Sequence, residues 1–518
     1  MKILTAAQMR EVDKRTAELG VPNIILMENA GHRVVEFLER EYEPLAKHRI
    51  LVVCGKGNNG GDGLVVARQL FTRVKPAWLR VVLAANPNTM HGDALANYKM
   101  LEAVGCPVFH EISEEMRLAT LVIDAVLGTG LDGPAKGQPA ELIKAINDQF
   151  PIADVVSVDV PSGAASDSGE LPGQAVVQAK HTVTFTALKP CLVLEAACEW
   201  AGEVHVVPIG TPPELVEEDQ ALMLAVSDPL LFQWMFQPRP SESNKGMYGH
   251  VLVIAGGRGK TGAAAMAGIA ALRSGAGLCT VASAASAISA IASYAPEIMT
   301  EPLAETDAGA IAMRAPDDPA LAAITDKKTV IAIGPGMGQH PETVQFIRRF
   351  VQESKTPMVV DADALNALAG QRSRFEGPRI FTPHPGEMSR LTGKTIAEIQ
   401  ADRIGTARAF AKEHGVYLVL KGNRSAIAFP DGRVFINPTG SPAMATGGTG
   451  DVLTGMIAGL LAQFHEKFSF ENALLAAVYL HGRAGELGAE QMGEKPLIAT
   501  DLFDFLPEAM REIADLSH

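Results

Sequence analysis

A chain of 518 residues is too long for one ordinary core, and at about 100–200 residues per domain it is expected to fold as two. With 47% hydrophobic residues, 20% charged residues and 49 glycines, the composition describes α/β domains rich in tight turns and excludes disorder. The net charge of −14 comes without a Lys/Arg cluster or basic strip, so nucleic acid is not the expected partner; the five scattered cysteines form no C-x-x-C, and no zinc spacing is visible.

The first residues, MKILTAAQMREVDKR, lack the apolar segment of a signal peptide, and no uninterrupted apolar run reaches about 18 residues. A cytoplasmic protein that does not enter a membrane is expected. From Arg49 to Val207, β-branched runs alternate with helical patterns, the signature of a largely parallel sheet. The predicted strands are Arg49–Cys54, Leu79–Ala84, Thr120–Asp124, Val155–Val160, Thr182–Phe185 and Val204–Val207. A polar, proline-containing stretch around 210–245 separates these from a second series, placing the domains at 1–224 and 225–518. The second series is Val251–Ala255, Leu278–Ala282, Val330–Ile333, Met358–Asp361, Arg379–Thr382 and Val416–Leu420, followed by a hairpin of Ser425–Phe429 and Arg433–Ile436 around Pro430-Asp-Gly432.

Gly55-Lys-Gly-Asn-Asn-Gly60 fits G-x-G-x-x-G after a strand, yet the end of the second strand offers no acid for a ribose, which weakens a dinucleotide-binding reading. The loop instead carries Asn58, Asn59 and Asp62. Two further strand ends supply oxygens, Asp124 leading into Gly128–Pro134 and Asp159 leading into Ser162. In an open parallel sheet the carboxyl ends of strands form the ligand crevice, so Asn59, Asp124, Asp159 and Ser162 are expected on one rim, where oxygen ligands suit a hard cation. The alternative is that these acids cap helices or satisfy turn amides.

In the second half, Ile254–Thr261 misses a P-loop by one glycine. Met444–Gly455 is more informative. Gly447, Gly448 and Gly450 let backbone amides approach a phosphate, and the apolar run behind them reads as a helix whose positive end faces it. Asp451 sits inside this loop, where a carboxylate would repel the anion unless it takes a proton from an attacking hydroxyl or helps hold a metal. The alternative is a helix cap.

GKGNNGGDGLVVARQL, VIDAVLGTGLDGP and SVDVPSG closely resemble the NAD(P)H-hydrate epimerase domain over nearly all of residues 1–215. That resemblance implies a Rossmann-like fold. It also implies a nucleotide site at Asn58, Asn59, Gly60, Gly61 and Asp62, and at Gly128, Thr129, Gly130, Leu131, Asp132, Gly133 and Pro134. A potassium ion is implied on Asn59, Asp124 and Ser162. Asp159 falls at a substrate contact and is the candidate for acid/base work at the epimerised carbon, though a purely orienting carboxylate would read the same way.

GAAAMAGIAALRSGAGL, AIGPGMG, VVDADALNAL, FTPHPGEMSRLTG, LKGNRS and MATGGTGDVLTG resemble the ribokinase-like ADP-dependent NAD(P)H-hydrate dehydratases over residues 245–465. The implied contacts to the hydrated nucleotide are Ala263, Gly336, Gly338, His384 and Asp451. Lys421, Gly422, Asn423, Arg424, Ser425 and Gly450 are implied for ADP, with magnesium. Gly440-Ser-Pro-Ala-Met444 departs from the common G-N-P-G-M. Together the two halves imply epimerisation of R and S forms of hydrated NADH and NADPH, dehydration of the S form with conversion of ADP to AMP and phosphate, and a homo-oligomer. The competing reading is a ribokinase-like small-molecule kinase fused to a silent binding module.

Overall fold

The computed structural model describes residues 1–516 apart from 132, 195, 318, 372–374 and 466. The chain forms two compact units, Met1–Leu224 and Ala225–His518.

In the first unit, helices α1 (Ala6–Glu18) and α2 (Asn23–Glu41) precede a seven-stranded sheet. Its strands are β1 (Arg49–Cys54), β2 (Trp78–Leu83), β3 (Val108–Phe109), β4 (Leu121–Ala125), β5 (Asp154–Val158), β6 (His181–Phe185) and β7 (Glu203–Val207), in the order β3-β2-β1-β4-β5-β6-β7. All six pairings are parallel. The period of two sends alternate residues to opposite faces: Ile50 and Val52 pack with Leu38 of α2, Leu64 of α3 (Asn58–Gln69) and Leu101 of α4 (Gly92–Ala103), whereas Leu51 and Val53 pack with Leu142, Ile143 and Ile146 of α5 (Gln138–Gln149). Winding reverses between β1 and β4, which opens a crevice at the carboxyl ends of those two strands.

The second unit is built on a ten-stranded sheet of β8 (Leu224–Val226), β9 (His250–Ile254), β10 (Leu278–Ala284), β11 (Met299–Leu303), β12 (Val330–Ile333), β13 (Met358–Val360), β14 (Arg379–Phe381), β15 (Tyr417–Leu420), β16 (Ala426–Ala428) and β17 (Val434–Ile436). The order β11-β10-β9-β12-β13-β14-β15-β16-β17-β8 again reverses after its first-wound strand, between β9 and β12. The hairpin expected around Pro430–Gly432 is the antiparallel pair β16–β17. Four helices serve the site: α6 (Thr261–Arg273), α7 (Pro385–Thr392), α8 (Thr449–Gln463) and α9 (Lys467–Met492). Both units are α/β with mainly parallel sheets.

The expected strands lie within about two residues of those observed, whereas β3, β8 and β11 were not foreseen. Two and three residues are too few for β3 and β8 to show a period, and Pro302 inside β11 reads as a strand breaker that only an exposed edge tolerates. Among the described residues no helix is long and apolar enough to cross a membrane.

Candidate functional site

In the first unit a cleft of about 1010 Å³ opens at the carboxyl ends of the strands. Asn58, Asn59, Gly60 and Asp62 from the start of α3, Gly128, Thr129 and Gly130 after β4, and Asp159 after β5 all line it. Gly60 and Gly61 are needed for close packing: a Cβ on Gly60 would lie 1.9 Å from the carbonyl oxygen of Gly55, and one on Gly61 would lie 2.7 Å from Met27 Sδ. Leu131, Gly133 and Pro134 continue the loop beyond the lining residues, and Asp132 lies outside the described residues.

Asp159 adopts φ 68°, a left-handed backbone uncommon for a residue with a side chain. Its Oδ1 accepts hydrogen bonds from Lys189 Nζ at 2.5 Å and Thr184 Oγ1 at 3.1 Å. Lys189 is only 1% exposed and donates as well to Thr184 Oγ1 and the Phe185 carbonyl, so its three donors are spent. Asp13 of α1 and Asp62 complete the group. Burial raises the Asp13 carboxyl to about 6, with Lys189 opposing and Asp159 adding to the rise; burial also raises Asp62, reinforced by Asp159 and Asp13. Asp13, Asp62 and Asp159 thus surround one buried ammonium, with burial keeping the proton affinity of Asp13 and Asp62 high.

Asn59 lines the cleft, whereas Asp124 and Ser162 lie outside its lining and are hydrogen-bonded to each other. Asp124 is fully buried; its Oδ2 accepts from Ser157 Oγ at 2.8 Å and from the Ser162 amide at 2.9 Å. Asn59 Nδ2 donates to the Val158 carbonyl at 2.7 Å, which leaves Asn59 Oδ1 buried and without a partner. Burial raises the Asp124 carboxyl against these hydrogen bonds. Asp124 Oδ1 accepts from the Val126 amide at 3.3 Å, so the carboxylate satisfies turn amides, and the unpartnered Asn59 Oδ1 is the oxygen of the kind a hard cation takes.

In the second unit the glycine loop leads into α8 as its sequence pattern indicates. Gly448, at φ 99°, is the N-cap, and no side chain caps the helix, so its first amides are open to an anion. Thr449 does not cap; its hydroxyl donates to the carbonyls of Met444 and Thr446. The Gly440–Met444 departure still makes an ordered turn, because Ser441 accepts from the Ala443 amide as an Asn would.

Asp451 lies in the first turn of α8, and burial raises its carboxyl to about 6, with Asp361, Asp363 and Glu387 adding and Lys421 opposing. Lys421 Nζ lies 2.8 Å from Asp361 Oδ1 and 3.8 Å from Glu387 Oε2. Asp361 Oδ2 accepts from Thr454 Oγ1 at 2.7 Å, which ties the strand end to α8. A Cβ on Gly450 would stand 3.4 Å from Lys421 Nζ. Gly336 and Gly338 have φ of 65° and 81°; a Cβ on Gly336 would come within 3.1 Å of the Ala263 Cβ on α6.

His384 is the N-cap of α7, its Nδ1 accepting from the Gly386 amide at 3.0 Å, and its side chain remains half exposed toward solvent. Gly422 has φ 154° against the Arg403 guanidinium, which donates to the Asn423 carbonyl at 2.6 Å; Arg424 donates to the Pro438 carbonyl and Ser425 Oγ to the Gly422 carbonyl. That loop is therefore fixed before any ligand arrives.

Sequence reasoning passed over Asp13, Lys189, Asp361, Asp363 and Glu387. Asp361 follows β13 just as Asp159 follows β5, so the same strand-end argument reaches it. Lys189 carries no such signal, because only the fold reveals that it is buried.

A family model described as NAD(P)H-hydrate dehydratase matches residues 251–508, and one described as YjeF-related protein N-terminus matches residues 23–191. The bifunctional NAD(P)H-hydrate repair enzyme Nnr of Moorella thermoacetica is 43% identical, covering 99% of this chain and 98% of that protein. The protein of the same name from Escherichia coli K12 is 35% identical, covering 99% and 95%. The crystal structure of ADP/ATP-dependent NAD(P)H-hydrate dehydratase from Bacillus subtilis, co-crystallised with ATP/Mg2+, is 36% identical with a TM-score of 0.50, covering 56% of this chain and 98% of that one. With relatives 43% and 35% identical over almost the whole of both chains, and a family model matching each half, the chain belongs to the family of bifunctional NAD(P)H-hydrate repair enzymes.

Proposed function

We propose that the first unit interconverts the R and S forms of hydrated NADH and NADPH, and that the second dehydrates the S form using ADP, giving AMP and phosphate. The observation that carries the reading is Asp451, a carboxylate held near a neutral pKa beside open helix amides. A simple phosphate-binding loop has no use for such a group, whereas a kinase-like one needs a base.

The hydrated ring bears a hydroxyl on carbon 6. Asp451 takes its proton as the oxygen attacks the terminal phosphate of ADP; the P–O bond to AMP breaks, and the amides of the 447–450 loop stabilise the developing charge. Loss of the new phosphate ester, with a proton from carbon 5, restores the ring double bond. Lys421 to Ser425 and Gly450 serve the adenine nucleotide, while Ala263, Gly336, Gly338 and His384 serve the hydrated one. Magnesium would suit the carboxylates grouped with Asp451, namely Asp361, Asp363 and Glu387, and when bound would neutralise phosphate charge. In the first unit Asp159, held by Lys189, does the acid/base work at the epimerised carbon. Potassium suits Asn59, Asp124 and Ser162, and when bound it compensates the buried Asp124 charge. The homo-oligomer and the cytoplasmic setting belong to the same reading.

The test is recovery of reduced-nicotinamide absorbance from a mixture of both NADH-hydrate epimers with ADP, magnesium and potassium. Complete recovery is expected. A halt when one epimer is exhausted would remove the epimerase, and a stable phosphorylated product would favour the kinase reading.

A further inference from the structure

On β6 and β7, far from the reaction rim, the parallel register pairs His181 with Glu203 and Val183 with His205. Side chains two residues apart share a sheet face, so His181, Glu203 and His205 are brought together by register alone. His181 Nδ1 is 3.3 Å from His205 Nε2 and 3.5 Å from Glu203 Oε2, and His205 Nε2 is 3.7 Å from Glu203 Oε1. Metal bonds of about 2.0–2.1 Å at tetrahedral angles set ligand atoms about 3.3–3.4 Å apart, close to these spacings.

His181 is only 4% exposed, and its Nε2 has no hydrogen-bond partner. No donor therefore forces the proton off Nε2, and Nδ1 is free to present its lone pair. The Phe37 ring packs against both imidazoles, 5.4 Å from His181 and 4.5 Å from His205, and holds them in place. Burial lowers the His205 pKa, with Glu203 opposing; His181 and Arg40 of α2 lower it further and Glu41 of α2 raises it. Glu203 is exposed and gives an ion a route in from solvent.

We propose that His181, Glu203 and His205 bind a zinc-class divalent cation that fastens the edge strand β7 to β6, at the end of the sheet opposite the nucleotide cleft. Two nitrogens and one oxygen with tetrahedral spacing suit zinc better than magnesium or calcium, which prefer oxygen shells. The ligands come from segments more than twenty residues apart, which is why no sequence spacing advertises them.

The test uses full-length protein stripped with a chelator, then titrated with zinc by calorimetry at pH 7.5 with magnesium and potassium in excess. Cobalt serves as a parallel probe through its visible tetrahedral absorption. The wild-type chain is expected to take up zinc in a single step, to melt at a higher temperature with zinc than without, and to show that absorption without the thiolate band that cysteine ligands would add. His205→Asn and Glu203→Gln, which keep size and hydrogen bonding, are expected to weaken zinc at least ~10-fold and to abolish the melting shift while melting like wild type in its absence. Zinc affinity unchanged in both variants, or no zinc taken up by the wild-type chain, overturns the proposal.

Discussion

Asp451 carries an acid whose proton affinity the fold has raised from an ordinary 3.8 to about 6. A base must be ionised, so dehydration should fall roughly tenfold per pH unit below about 6 and level off above it, as read from initial rates of NADH recovery. Asp451→Asn should abolish dehydration at every pH while ADP still binds. The same shift has a stability sign: between the unfolded and folded values the native state holds the proton more tightly, so stability is lost as pH rises through that window. Asp451→Asn should therefore melt higher than wild type at pH 8, and the gap should narrow below about pH 6 and close only as pH approaches 3.8. In the other half, Asp159→Asn should slow epimer exchange without touching dehydration. Lys189→Met leaves buried carboxylates uncompensated and should cost about 3–5 kcal/mol in urea unfolding. Asp159 and Asp451 were readable because each stands at a strand end or in a glycine loop; Lys189 was not, since an ammonium between a leucine and a proline looks like any surface lysine until the sheet buries it.

At the scale of elements, α8 lies directly on α6. A Cβ on Gly455 would sit 2.1 Å from the Ala267 carbonyl, and one on Gly459 would sit 2.4 Å from that of Ala271. Gly455→Ala should therefore cost about 1–3 kcal/mol by overpacking and lower the rate of dehydration, because it pushes the Asp451 helix away from Ala263. Thermal melts and kinetics on the same preparation would separate the two effects. The long buried strands were legible because β-branched runs ending in turns have few other readings. The short edge strands were not: β3 and β11 are defined by the neighbours they pair with, and their own residues could equally be loop. The register of β6 on β7 was likewise invisible, although it decides which histidines meet.

Across the whole molecule, each sheet reverses its winding once, and each half draws its candidate site residues from its own chain segment. Expressed separately, 225–518 should restore NADH from one epimer only, and adding 1–224 in trans should release the remainder. Failure of the second step would show that the first half needs its partner to work. Such independence also means that one activity can decay while the other persists, and the left-handed backbone of Asp159 indicates where the decay would be written. Asn and Gly tolerate that conformation almost as well as Asp, yet neither carries its charge. A descendant with either residue at position 159 would keep the turn, would melt lower because the buried Lys189 ammonium loses that carboxylate, and on the proposed role would exchange epimers slowly while its other half went on working.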